Sequence, residues 1–484
     1  MNSRVELDDI QGLLRYAYKH HEETAFLLLR VRDPAAARAW LLQAPVANAL
    51  PRQPPPATVL QLGLSEPGMR ALGLPPSLVD AFSAEFLGGL GQDASQARRL
   101  GDIQGNDPKL WSWGTGERVP HVLVMLYALP GRLADWQARI ESECASGFEL
   151  IERLGGSARV GREPFGFADG LSQPDLDWER RRQLTPGAQR ADYDKLSCLG
   201  EFLLGYPNEY GGYTDRPLLA PDADARHLPR AEDAPEQADL GRNGSYLVIR
   251  QLEQDVAGFW GWIDEQVGGD PTRREALAAA LVGRTLDGRP LAEARHGDPQ
   301  DFDFDADPEG LRCPLGAHIR RSNPRSGDLP AGDNKGLSWL LRTLGLEAQA
   351  LQRDQVASAR FHRLLRRGRK YGSATTTDKV GLNFIALNAS LSRQFEFVQG
   401  AWINSTRFNG LSAEADPLLG SREPDAAGRP TDGFSMPQAQ GPCLRFAGLP
   451  QFITVRGGAY FFMPGIRALR YLAKAGEPHR EDLP

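Results

Sequence analysis

Two sets of strand-length apolar runs, one on either side of a Pro-, Asp- and Ala-rich stretch at residues 215–242, set the tightest limit on how this chain folds. In the first set, 24–31, 57–64 and 119–129 read as buried strands. Asp33-Pro34 opens a helix to about residue 43, with aspartate as cap and proline at its first position. A second helix runs from 133 to about 144, where apolar residues recur at 133, 136 and 140. The pattern restarts at 244–252. Helices at 254–267 and 273–282 follow, then a strand at 381–388, a helix at 390–402, a strand at 454–463 and a last helix to about 473.

Strands and helices mix here without the strict alternation of a parallel sheet, so the expected class is α+β: two ferredoxin-like halves, antiparallel β-sheets with peripheral helices. The polar middle stretch sets the expected boundary, giving an N-terminal domain at 1–230 and a C-terminal domain at 231–484.

Composition narrows the function. A formal net charge of −6 and no Lys/Arg-rich stripe argue against a nucleic-acid partner. The apolar runs are far shorter than the roughly 20 residues a membrane helix needs. A polar, acidic N-terminus and four cysteines in 484 residues lead to the expectation of a cytoplasmic protein without a membrane anchor.

Three stretches carry chemistry. Cys313-Pro-Leu-Gly-Ala-His318-Ile-Arg320-Arg321-Ser-Asn-Pro-Arg325 presents one of only eight histidines between turn-forming residues. Glu163-Pro-Phe-Gly166-Phe167-Ala168-Asp169-Gly170 contains a G-x-x-D-G; alone, that is most often a turn in which aspartate caps backbone N–H groups. The third, 363–370, has five basic residues in eight, among them Arg366, and alone would pass for a solvated cationic face.

Taken together and in this order, the three resemble the dye-decolourising peroxidases, in particular their long-chain members. Looser similarity extends along most of the chain, at Asp102, Pro108–Trp113, Asn243–Asp255, Val282–Leu291, Gln394–Gln399 and Gly457–Pro464. The resemblance implies the dimeric α+β barrel superfamily and one haem b per chain. It further implies reduction of hydrogen peroxide through a ferryl-oxo intermediate, and one-electron oxidation of dyes, phenols or other aromatic donors. His318 becomes the proximal iron ligand, and Asp169 and Arg366 the distal catalytic pair. Gly166, Phe167, Ala168, Gly170 and Phe384 would lie against the haem, with Arg320 or Arg321 meeting its propionates. Glu396 is a candidate partner for the second ring nitrogen of His318.

No Cys-x-x-Cys-His occurs, so the haem would be held non-covalently. Two departures stand out. His318 and Arg366 are 48 positions apart, which points to an insertion near 325–359, and Lys370 replaces a smaller residue. The family implies a monomer or homodimer. The alternative reading is a haem carrier or iron-release protein with weak peroxidase activity.

Overall fold

The computed structural model describes residues 4–156, 161–181, 195–221, 225–294, 298–325, 359–372, 379–425 and 427–476. Nearly all of the insertion expected at 325–359 lies outside them. In the first half the chain runs β1 (Glu23–Val31), α1 (Pro34–Gln43), β2 (Thr58–Leu64), β3 (Val122–Ala128), α2 (Leu133–Cys144) and β4 (Phe148–Gly156), with short helical turns between β2 and β3. Asp33 caps α1, its carboxylate accepting the Ala36 N–H at 3.0 Å. In the second half come β5 (Ser245–Gln254), α3 (Val256–Val267), α4 (Pro271–Val282), α5 (His318–Ser322), β6 (Leu365–Arg366), β7 (Arg369–Tyr371), β8 (Gly381–Asn388), β9 (Ile453–Met463) and α6 (Ile466–Ala475).

These strands make one nine-stranded sheet in the order β6-β8-β5-β9-β2-β3-β1-β4, with β7 also on β8. Each half is a βαββαβ unit whose spatial order is fourth, first, third, second strand, and every pairing in it is antiparallel. The fold is therefore α+β and doubly ferredoxin-like. The halves join edge to edge through β9 and β2, at Phe462 opposite Leu64.

Both faces of the sheet are covered, which is why the strands read as continuous apolar runs. One face carries Leu27, Leu62, Val124, Val248 and Phe462 beneath the helices, represented by Trp40, Ile140, Phe259 and Leu469. The other carries Phe26, Met125, Ile249 and Phe461, covered by the N-terminal segment and by Phe202, Leu203 and Tyr206. Within the polar middle stretch, buried Arg216 pairs with Asp239 at 2.6 Å, and Arg242 with Glu232 at 2.9 Å. The helix expected at 390–402 is realised as two widened π-helical turns, Ser392–Glu396 and Val398–Ile403.

Candidate active site

His318 opens α5, a helix of little more than one turn wedged between the end of α4 and the π-helical turn at 398–403. Its Nδ1 lies 3.0 and 3.2 Å from the two carboxylate oxygens of Asp416. That carboxylate is fully buried and also accepts the N–H groups of Leu418 and Leu419 at 2.9 and 2.8 Å. Burial alone would raise its pKa. The charge and hydrogen bond of His318, the Leu419 amide and Arg321 reverse the shift and hold it below the usual carboxylate value. An ionised carboxylate only accepts, so Nδ1 carries a proton, and in the neutral ring Nε2 is the nitrogen with the lone pair. Among the described residues nothing hydrogen-bonds Nε2, and the side chain is 23% exposed.

The G-x-x-D-G loop folds on itself. Glu163 accepts the N–H groups of Phe165 and Phe167 at 3.0 and 2.9 Å, and Gln254 donates to the same carboxylate at 2.8 Å. Trp260 of α3 pins the loop from outside, donating to the Phe165 carbonyl at 3.1 Å. Gly166 at φ +103 and Gly170 at φ +74 take conformations that side chains resist. Asp169 is thereby left exposed, its carboxylate accepting the Gly170 N–H at 2.5 Å.

Arg366 sits on β6 opposite Ala386 of β8. Its backbone N–H donates to Gln173 at 2.9 Å, and its guanidinium to the Leu171 carbonyl at 2.7 Å. The side chain is open to solvent, yet enough protein surrounds it that desolvation lowers its pKa, opposed by the charge of Asp169. A residue both open and enclosed lines a recess. The segment 283–290 packs against both α5 and the aspartate loop. A side chain at Gly283 would strike Ile319 of α5, while one at Gly288 would strike Ala168 and Leu171 of the aspartate loop.

Other sequence candidates land elsewhere. Glu396 does not meet His318; it accepts from the Tyr460 hydroxyl at 2.9 Å and from Gln96 at 2.8 Å. Arg320 and Arg321 are fully buried and committed. Arg320 donates to the Cys313 and Asp307 carbonyls at 2.7 and 2.9 Å; Arg321 donates to those of Trp402, Ser405 and Glu414 at 2.8, 2.9 and 2.5 Å. They brace α5. Phe167 is buried in the core, Ala168 is half-buried beside Gly288, and Phe384 is half-buried on the helix-covered face of the sheet, its ring 6.5 Å from that of Phe395.

The residues present suit a haem. His318 offers a single imidazole ligand atom, and a macrocycle-bound iron takes one axial ligand of this kind from the protein. Near Arg366 stand two further buried arginines, Arg284 and Arg325, a local excess of positive charge fit for carboxylate groups.

Two groups of side chains therefore stand out, the imidazole of His318 backed by buried Asp416 and the carboxylate of Asp169 beside the guanidinium of Arg366. No family model matches the chain. The dye-decolorizing peroxidase msp1 of Mycetinis scorodonius is 27% identical over 502 residues, covering 96% of this chain and 87% of that protein. The multifunctional dye peroxidase DyP2 of Amycolatopsis sp. is 31% identical over 343 residues, 64% of this chain and 61% of that one. A solved dye-decolorizing peroxidase in complex with 2,6-dimethoxyphenol shares the fold, with a TM-score of 0.70 at 22% identity over 98% of this chain and all of that one. Over nearly its whole length the chain is similar to dye-decolorizing peroxidases.

Proposed function

We propose that this protein is a haem b peroxidase that reduces hydrogen peroxide and oxidises phenols, dyes or related aromatic donors in one-electron steps. The observation that carries the reading is the His318–Asp416 pair, which leaves Nε2 as a fixed, basic ligand atom. Bound there, haem supplies the redox iron. His318 holds it, and Asp416 keeps the proton on Nδ1 and strengthens the ligand. Asp169 takes a proton from peroxide and returns it to the leaving oxygen, acting as general base and then acid. Arg366 orients peroxide and offsets the charge that develops as the O–O bond breaks. Arg284 and Arg325, instead of Arg320 and Arg321, supply positive charge for the propionates. The glycines at 166 and 170 admit close approach of the loop. A carrier needs no such aspartate–arginine pair.

The proposed division places the aspartate loop in residues 1–230 and the ligand in 231–484. The working form is one non-covalent haem per chain, in a cytoplasmic monomer or homodimer. Among the described residues no helix is long and apolar enough to cross a membrane.

The test is haem uptake by His318→Ala. The variant is expected to lose the wild-type absorption spectrum and to recover much of it when imidazole is added. An unchanged spectrum in His318→Ala would overturn the assignment.

A further inference from the structure

Ser172, three residues beyond Asp169, has no part in the proposed chemistry but lies where several side chains converge. Its hydroxyl accepts from Arg284 Nη2 at 2.6 Å and from Arg325 Nη2 at 3.2 Å, and donates to Gln300 Oε1 at 3.2 Å. Its backbone N–H donates to the same Gln300 oxygen at 2.6 Å. A hydroxyl has one donor and two acceptor sites, and all are engaged. The residue also holds φ at +51, a left-handed conformation that non-glycine residues seldom adopt without a compensating interaction.

The two arginines are anchored independently of Ser172. Arg284 donates its Nη1 to the Gly288 carbonyl at 2.6 Å, and Arg325 its Nη1 to the Phe302 carbonyl at 2.6 Å. Both are buried. Ser172 is thus tied to three separate segments. Its two neighbours hold Arg366: the Leu171 carbonyl accepts the guanidinium at 2.7 Å, and Gln173 Oε1 accepts the backbone N–H at 2.9 Å.

We infer that Ser172, clamped by Arg284, Arg325 and Gln300, is a positioning residue that fixes the aim of the Arg366 guanidinium into the recess. The mechanism is mechanical and electrostatic together. Pinning residue 172 fixes the carbonyl at 171 that steers Arg366. Like-charge repulsion from Arg284 turns the guanidinium away from the clamp, toward the carboxylate of Asp169. Consistent with that crowding, burial together with the charges of Arg325 and Arg366 brings Arg284 down to about 10.

The inference rests on the reading of Arg366 as the distal cation, and fluoride binding by the haem-loaded protein separates the two. Fluoride bound to ferric haem on the Arg366 side accepts a hydrogen bond from it, so its affinity, read from the absorption spectrum, reports the guanidinium's position. Ser172→Gly keeps the left-handed backbone at no steric cost and removes only the hydroxyl. It is expected to weaken fluoride binding by about tenfold, in the range typical of outer-sphere partners. The double variant Ser172→Gly/Arg366→Ala is expected to bind fluoride no more weakly than Arg366→Ala alone, because both changes remove one contact. Should Ser172→Gly fail to fold, Gln300→Ala, which removes the acceptor of both the Ser172 hydroxyl and its backbone N–H, is measured in the same way, with the same direction expected.

Unchanged affinity in Ser172→Gly beside weakened affinity in Arg366→Ala overturns the clamp and leaves the site reading intact. Additive losses in the double variant also overturn it. Unchanged affinity in Arg366→Ala overturns the reading of Arg366, and the clamp with it.

Discussion

His318 and Asp416, 98 residues apart in sequence, meet with Nδ1 3.0 Å from a carboxylate oxygen that no solvent reaches. With His318 as the proposed ligand, the carboxylate would make the imidazole a stronger donor to iron and so set both affinity and potential. Asp416→Asn preserves size but removes the charge. It is expected to lower haem affinity by about 10–100-fold and to raise the reduction potential, as read by spectroelectrochemical titration.

Arg366→Lys keeps a charge but loses the planar fork that reaches both the Leu171 carbonyl and the recess. Steady-state kinetics should show kcat/KM for peroxide falling by about 10²–10³-fold, the usual loss on removing one preorganised donor. KM for the aromatic donor should be unchanged.

Asp102 and Arg250 form a nearly fully buried ion pair that joins the first half of the chain to β5. Burial raises the pKa of Asp102, and the guanidinium opposes that shift. Asp102→Ala leaves an uncompensated buried cation and should cost about 3–5 kcal/mol in chemical denaturation. Replacing both by apolar residues of similar volume, Asp102→Leu with Arg250→Met, should recover most of it.

His362 stacks on Phe397 at 3.7 Å between ring centroids and bonds through Nδ1 to the Arg393 carbonyl. Burial, with the charge of Arg393 adding to it, pushes its pKa down to about 4. An unfolded chain takes up this proton near pH 6.5, the folded one only near 4, so stability falls as pH drops through that window, by up to about 3 kcal/mol. His362→Phe keeps the stack and cannot titrate. Thermal melts between pH 7 and 4 should show a shallower loss for the variant than for wild type.

Where burial wrote the pattern, the sequence was readable. The strands Gly381–Asn388 and Ile453–Met463 are apolar because both of their faces are covered, and they fall within a residue of where periodicity places them. β4 escaped notice because it is a sheet edge carrying Glu149, Glu152 and Arg153, charges that suit an exposed edge and hide a strand from an apolar count. Asp416 left no local signal, since its role depends on a loop returning to α5. The nearer glutamate, Glu396, was the natural guess and serves Tyr460 instead. Arg320 and Arg321 misled because adjacency to a ligand does not say which way a side chain points. Both turn inward to saturate carbonyls, and the cations nearest the recess come from positions 284, 325 and 366.

The most direct measurement is rapid mixing of the haem-loaded protein with one equivalent of hydrogen peroxide, following the Soret band in wild type, Asp169→Ala and Arg366→Ala. A fast spectral change in wild type, slowed in both variants while their haem content stays normal, is the predicted result. A haem-loaded wild type whose spectrum does not respond to peroxide would contradict the peroxidase assignment and favour a haem carrier.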